Sequence, residues 1–145
     1  MNIIERIRST LEQFPKISAV CNAIHVEFAD SEPTSYGLSS IGDSLVSEDV
    51  LGNQTRQHNF LLYSTFSGIN DYERLANSSI LLELAQWLEL QIGTQVDATV
   101  NGKTRSGIVN KITTGNGLLY EVPAENTGIG FRYQLQIAVI YKIYE

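Results

Sequence analysis

The stretch that decides the fold is the last one, Phe131-Arg-Tyr-Gln-Leu-Gln-Ile-Ala-Val-Ile-Tyr-Lys-Ile-Tyr144. Its odd-numbered positions all carry apolar or aromatic side chains, whereas its even-numbered positions start polar and then become mixed. Successive side chains leave a β-strand on opposite faces, so this alternation predicts a long strand with one face in a hydrophobic core. Because the even positions become less polar toward the C-terminus, we expect the second face to be covered there by a helix or by a neighbouring subunit.

Two helices are predicted upstream of this strand. The first begins after Asn2, a suitable N-cap with Glu5 three residues on, and it ends at Pro15. The second spans Asn70–Ile92, where apolar side chains recur at three- and four-residue spacing, and Gly93 ends it.

Alternation and turn residues predict several further strands. The first three predicted strands are Val20–Phe28, Thr34–Ile41 and a central strand at Thr55–Ser67. Two more, Gln95–Val100 and Lys103–Val109, flank an Asn101-Gly102 turn. A further pair, Ile108–Thr114 and Leu118–Val122, flanks a turn at Gly115-Asn-Gly117. This order predicts an α+β fold in a single domain over residues 1–145. Its mainly antiparallel sheet packs against the N-terminal helix and one long central helix.

The core is predicted from the apolar faces of these elements. Its expected members are Ile7, Leu11, Phe60, Leu62, Leu81, Leu84, Trp87, Leu88, Tyr133, Leu135 and Ile137. We expect Trp87 to be packed between the long helix and the sheet, because it shares a stripe with Leu84 and Leu88.

The segment Gly42–Gly52 is polar and contains two glycines. Its few apolar side chains bury too little surface to offset the entropic cost of ordering the segment, which is about 1–2 kcal/mol per residue for the backbone. We therefore expect an extended hairpin or loop that is mobile in the free subunit and ordered only in an assembly.

Composition narrows the functional classes. The chain has 145 residues, 43% of them hydrophobic, and a net charge of −6, with its basic residues scattered. This favours a soluble domain with one core and argues against a basic nucleic-acid-binding face. The single cysteine, Cys21, excludes an internal disulfide. The start resembles no secretory signal and no apolar stretch is long enough to cross a bilayer, so we expect synthesis in a reducing cytoplasm and no membrane partner.

Motifs with chemical meaning are weak. Gly102-Lys103-Thr104 looks like the end of a phosphate-binding loop, but Asp97 stands where that loop needs its first glycine, so a hairpin turn is favoured. His25 and His58 have no carboxylates at ligand spacing, and no serine or cysteine lies in a nucleophile elbow. We expect no catalytic, metal-binding or cofactor-binding residues, and no enzyme activity.

Four groups of residues, read in order, resemble a family of phage minor capsid proteins. The groups are Ile24-His-Val-Glu-Phe28 with Glu32-Pro33 and Tyr36; Thr55-Arg56-Gln57 leading into Phe60–Tyr63; Asn77-Ser78 and Leu81 with Trp87-Leu88-Glu89; and Ile112-Thr113-Thr114-Gly115 with Arg132-Tyr133-Gln134-Leu135-Gln136. In long-tailed phages these are tail terminator or tail-completion proteins. The likeness covers nearly the whole chain, and Gln95–Gly107 departs most from the family pattern.

The resemblance implies a ring, most simply a homohexamer, that caps the tail tube and joins it to the head–tail connector of the virion. DNA would pass through the lumen without specific binding, as suits an acidic subunit. The chain would be made in the host cytoplasm and then belong to the tail and neck. Residues expected at contacts with another subunit or the tail tube are Leu45, Val46, Val50, Leu51, Arg56 and Arg132.

Two alternatives stay open. Within the same class, a head-completion or connector protein or a tail-tube subunit shares the size, acidity and α+β content. In another class, a small-molecule-binding or catalytic α+β domain would need convergent polar groups in one pocket.

Overall fold

A computed structural model describes residues 1–15, 24–26, 35–66, 71–121 and 131–145 of the chain. Within these ranges the elements are α1 (Ile3–Glu12), β1 (Ile24–Val26), β2 (Ser35–Glu48), β3 (Gln54–Phe66), α2 (Asp71–Glu89), β4 (Gln95–Val100), β5 (Lys103–Glu121) and β6 (Phe131–Ile143). The strands form one sheet in the order β1-β2-β3-β6-β5-β4. Every pairing is antiparallel except that of β1 with β2, so the predicted class of helices with a mainly antiparallel sheet is confirmed.

The C-terminal strand lies at the centre of the sheet. β6 pairs with β3 in an unbroken register from Gln54 opposite Ile143 to Phe66 opposite Phe131, and its other edge pairs with β5. The prediction of a long last strand is therefore confirmed. β3 was also expected to be central, and it lies between β2 and β6.

The sheet has an inner face on the hydrophobic core and an outer face that points away from it. Directly opposed residues of an antiparallel pair share a face, so the register assigns each side chain to one of them. The buried apolar residues of the sheet are Leu38, Phe60, Leu62, Val96, Val109, Ile112, Leu135, Ile137, Val139, Tyr141 and Ile143, all on the inner face. In β6 these are the odd positions, which is the face the alternation predicts.

Both helices contribute to this core. α1 begins with the predicted capping box, in which the Asn2 side chain accepts from the backbone N–H of Glu5 and the Glu5 side chain accepts from that of Asn2. The buried apolar residues of the helices and of the turn after α1 are Ile3, Ile7, Leu11, Phe14, Leu81, Leu84, Ala85 and Leu88. They join the sheet residues in one hydrophobic cluster.

The hairpin of β4 and β5 forms as its sequence predicts. Asn101 and Gly102 both have positive φ, 52° and 77°, as a two-residue turn of the type favoured by Asn-Gly requires. The second predicted turn, Gly115-Asn-Gly117, is wrong, because β5 continues through it to Glu121. The register along β6 shifts between Gly115 and Leu118, so the glycines mark a bulge in the strand.

Three further expectations are corrected. β2 does not end at Ile41 but continues to Glu48, and Gly42–Gly52 thereby forms an extended hairpin with β3, one of the two forms expected for it. α2 ends at Glu89, and Ile92, assigned to its apolar stripe, is 55% exposed. Trp87 was expected in the core but is only partly buried: it packs against the core, with its ring 5.3 Å from that of Phe14.

Some expectations fall outside the described part of the chain. The backbone of β6 is described from Phe131, but the side chains of Arg132 and Tyr133 are not. Of the strand predicted at Val20–Phe28, the structure describes Ile24–Val26, and the side chain of His25 lies outside the description.

Candidate functional site

The β2–β3 hairpin carries the residues that the sequence singled out as contact candidates. Its turn is closed by Asp49, whose carboxylate accepts hydrogen bonds from the backbone N–H groups of Leu51 and Asn53 and from the Asn53 side chain at 2.9–3.0 Å. Gly52 completes the turn with φ of 87°. The hydrogen bond from the Asn53 side chain is the main reason why the pKa of Asp49 lies below its usual value. The turn is thus rigid and negatively charged.

Four apolar side chains of this hairpin are exposed to solvent. Val50 is fully exposed, Leu51 is 72% exposed, and Leu45 and Val46 are about half-exposed at 48% and 56%. The structure therefore brings the four apolar contact candidates together at one end of the sheet.

Two bulges in β2 expose further apolar side chains along the hairpin. The register with β3 shifts between Ser40 and Gly42 and again between Leu45 and Ser47, which leaves Ile41 and Val46 without a directly opposed residue. Ile41 is 53% exposed, and sequence analysis did not select it. Because it was expected to end a strand, no sequence signal marked it as a bulge residue.

A buried polar cluster holds the hairpin to the centre of the sheet. Asp43 accepts a hydrogen bond from Arg56 Nε at 2.6 Å, one from Tyr141 Oη at 2.5 Å, and lies 2.8 Å from His58 Nδ1. His58 and Tyr141 are 6% and 5% exposed, whereas a quarter of the Asp43 side chain is exposed. Arg56, a contact candidate, is therefore already paired within its own subunit.

The electrostatics of this cluster favour one set of protonation states. Burial alone would raise the pKa of Asp43, but the hydrogen bonds from Tyr141, Arg56 and His58 outweigh it and hold the pKa below its usual value. Burial, and then the hydrogen bond to Asp43, raises the pKa of Tyr141. Asp43 is thus a carboxylate at neutral pH, and Tyr141 remains a protonated donor to it.

The cluster also contains a Ser-His-Asp chain of hydrogen bonds. Ser40 Oγ lies 2.5 Å from His58 Nε2, and His58 Nδ1 faces Asp43. Hydrolases use this order of groups, but they also need a substrate site beside the serine. Neither Ser40 nor His58 is among the residues lining the cavities around Tyr141 or the cavity beside Ile41. The arrangement fits a structural role, in which it satisfies buried polar groups next to a strand bulge.

A second anchor fixes the turn from the other side. Arg105 on β5 is 9% exposed and donates from Nη2 to the Gly52 carbonyl at 2.5 Å and from Nε to the Tyr144 carbonyl at 3.1 Å. Its Nη2 also lies 3.2 Å from the Glu145 carboxylate. The hairpin turn, β5 and the C-terminus are thereby joined through one guanidinium group.

Two open cavities flank the anchored hairpin on the inner side. One of about 430 Å³ lies between Gln54 and Arg56 of β3 and the β4–β5 turn. The other, of about 480 Å³, extends along Ala98 and Thr99 to the start of α1, and both include Tyr141. They separate the hairpin from the neighbouring β4–β5 hairpin.

Sequence reasoning missed the polar cluster because its members are distant along the chain. Asp43 lies 15 residues from His58 and 98 from Tyr141. The one available signal was local, since the polar Arg56 and His58 alternate with Phe60 and Leu62 on a strand face predicted to be buried. A charged residue on such a face requires a partner.

No helix in the described ranges is long and apolar enough to cross a membrane. The same residues contain no group of three or more His, Cys, Asp or Glu side chains placed to hold a metal ion. Compared with models of known protein families, the chain matches none, and no curated protein matches it.

Proposed function

We propose that the protein is a structural subunit of a phage tail neck, most specifically a tail terminator that forms a ring on the tail tube and joins it to the head connector. The sequence resemblance and the hairpin support this role. The proposal includes the finer architecture of the family, with α2 as the central helix, and it places the protein in the virion.

The observation that carries the proposal is the exposed apolar surface of the β2–β3 hairpin. Leu45 and Val46 on β2 and Val50 and Leu51 on the turn are exposed, and Asp49 and Arg105 hold the conformation of that turn. Isolated exposed apolar residues are ordinary, but a cluster on a rigid hairpin is typical of a contact surface. A subunit that binds its neighbours and a tube end needs such a surface.

The charge of the chain is compatible with a channel for DNA. A net charge of −6 per subunit repels phosphates, so DNA that slides through the ring would not adhere to it. In this role the protein is not an enzyme and uses no cofactor. Labelling of Ser40 by a fluorophosphonate probe would contradict that statement.

Electron microscopy of a phage that carries this gene tests the role. Loss of a terminator yields overlong, headless tails, because nothing stops polymerisation of the tube. Loss of a tube subunit would instead leave no tails, and loss of a head-completion or connector protein would leave tails of normal length without heads. Tails that are absent would assign the protein as a tube subunit, and headless tails of normal length would assign it as a head-completion or connector protein.

A substitution pair then connects the role to the hairpin. Leu51→Asp should reproduce the overlong tails, because it places a charge on the contact surface without disturbing the core. Leu90→Asp is the matched control, since Leu90 is 76% exposed and Leu51 is 72% exposed, but Leu90 lies beyond the end of α2. Normal tails with Leu51→Asp would show that the hairpin is not the contact surface.

A further inference from the structure

On four of the six strands, β2, β3, β5 and β6, the outer face of the sheet has a charge opposite to that of the whole chain. On β2, β3, β5 and β6, the described side chains assigned to this face include Lys111 and Lys142 and no carboxylate. The rest are mostly Ser, Thr, Asn and Gln, with a few apolar residues such as Ile108 and Ile140. In a chain with 16 acidic and 10 basic residues, this is a local positive surface.

A groove of about 420 Å³ lies in this face. Its lining residues include Ile41, Asn59, Thr113, Gly115, Gln136 and Ala138. The small side chains of Gly115 and Ala138 leave room there, and a Cβ added at Gly115 would meet nothing within 4 Å. Lys111 lies two residues from Thr113 on the same strand.

The β2–β3 turn has complementary properties. It presents the exposed apolar pair Val50 and Leu51 directly after two acidic residues, Glu48 and Asp49. A groove with a small-residue floor, an apolar rim at Ile41 and a lysine nearby matches this turn in both polarity and charge.

The turn cannot fill the groove of its own subunit. Gln54, at the start of β3, is five residues from Asn59 at the groove, which corresponds to about 16 Å along a strand. Pairing with β6 and the Arg105 anchor keep the turn at the end of the sheet. A β2–β3 turn in this groove therefore has to come from a second copy.

We propose that the β2–β3 turn of one copy inserts Val50 and Leu51 into the outer-face groove of the next copy, with Glu48 and Asp49 facing Lys111. The two surfaces are different, so the contact is head-to-tail, and its repetition closes a ring if the rotation between copies permits. This inference rests on the proposed function, because it names the contact through which the ring would form.

Cross-linking between two different single-cysteine variants tests the contact even if association is weak. Cys21 is first replaced by Ser, and then Val50→Cys protein is mixed with Thr113→Cys protein under mild oxidation. We expect a mixed disulfide dimer. The matched control replaces Thr113→Cys by Leu90→Cys, which also places the thiol at an exposed position but outside the groove, and it should give much less mixed dimer. Equal yields in the two mixtures would overturn the proposal.

Filling the groove provides a second test. Gly115→Val places a β-branched residue on a strand where the backbone and the space allow it, so the fold should be retained. In the Gly115→Val, Thr113→Cys background the mixed dimer should be lost, and circular dichroism should be unchanged. Retention of the mixed dimer would contradict insertion into the groove.

A charge exchange identifies the polarity of the contact. Lys111→Glu and Glu48→Lys should each reduce the mixed dimer by about two- to fivefold, as expected for one partly exposed ion pair, and combining one in each partner should restore it. If the combined variants do not restore the mixed dimer, Lys111 and Glu48 do not form an ion pair across the contact. If cross-linking fails while loss of the gene still gives overlong tails, the proposed contact at the groove is wrong and the terminator role is retained. If cross-linking succeeds while loss of the gene leaves tails normal, the contact is retained and the terminator role is wrong.

Discussion

Asp43 is the residue on which the geometry of the β2–β3 hairpin depends. It is the common acceptor for Arg56, His58 and Tyr141, and the latter two are almost completely buried. Replacing it by Asn keeps the size of the side chain but removes the charge and one acceptor. In the wild type His58 Nδ1 and Tyr141 Oη both bond to Oδ2 and Arg56 Nε bonds to Oδ1, so the amide group of asparagine would set an N–H donor against one of these donors.

We expect Asp43→Asn to lower the free energy of unfolding by about 2–3 kcal/mol, the usual cost of losing a hydrogen bond to a charged group. Chemical denaturation with urea measures this value. Tyr141→Phe, which removes one donor and leaves the carboxylate paired with Arg56, is the control and should cost less. An Asp43→Asn protein as stable as the wild type would show that the cluster does not stabilise the fold.

The depressed pKa of Asp43 predicts a pH dependence with a definite sign. A carboxyl whose pKa is lower in the folded state stabilises the fold above its unfolded value of 3.8, and this contribution is lost as the pH falls through the folded value. The difference in melting temperature between wild type and Asp43→Asn should therefore be constant near neutrality and shrink below about pH 4. Melting curves between pH 3 and pH 7 would contradict this if the difference stayed constant throughout.

At the scale of elements, the β4–β5 turn provides a matched pair of glycines. Gly102 has φ of 77°, a conformation that a side chain disfavours, whereas no positive φ is found at Gly115. Gly102→Ala should cost about 1–2 kcal/mol, and Gly115→Ala should be close to neutral. Urea denaturation of both variants makes the comparison, and equal effects would show that the conformation of the turn is not what selects Gly102.

Because β2 continues to Glu48, the mobility of this segment can be predicted amide by amide. Between Ser39 and Glu48 the strand pairs with β3, and among the described residues β1 borders β2 from Tyr36 to Leu38. Amides of β2 that point to β3 should therefore exchange slowly with solvent, and those that point the other way should exchange rapidly. Hydrogen exchange followed by NMR distinguishes the two sets of amides. Uniformly rapid exchange would show that the whole segment is mobile in the free subunit.

At the scale of the whole molecule, net charge and exposed apolar surface act in opposite directions. The charge of −6 makes subunits repel one another, whereas the hairpin favours contact. We expect the free protein to sediment at low concentration as a monomer of 16.1 kDa and to associate as its concentration rises, with the ring completed on a tail tube. A stable dimer that does not dissociate on dilution would contradict this prediction.

The sequence by itself determined the elements whose signals are local. The alternation of Phe131–Tyr144 specified the strand and its inner face, Asn2 with Glu5 specified the start of α1, and Asn101-Gly102 specified a hairpin turn. Each of these signals is read within one element, because side-chain periodicity, capping and turn conformation involve neighbouring residues.

Only the tertiary structure decided where strands continue and which polar groups meet. Gly42 and Gly115 resemble turn residues, yet pairing with β3 and with β6 carries the strands past them as bulges, because ladder hydrogen bonds outweigh a local preference. Asp43, His58 and Tyr141 come together through the register of three strands, which no local pattern encodes. The exposed apolar hairpin follows from the same register, since the bulges and the end of the sheet leave Ile41, Val46, Val50 and Leu51 with no core to enter.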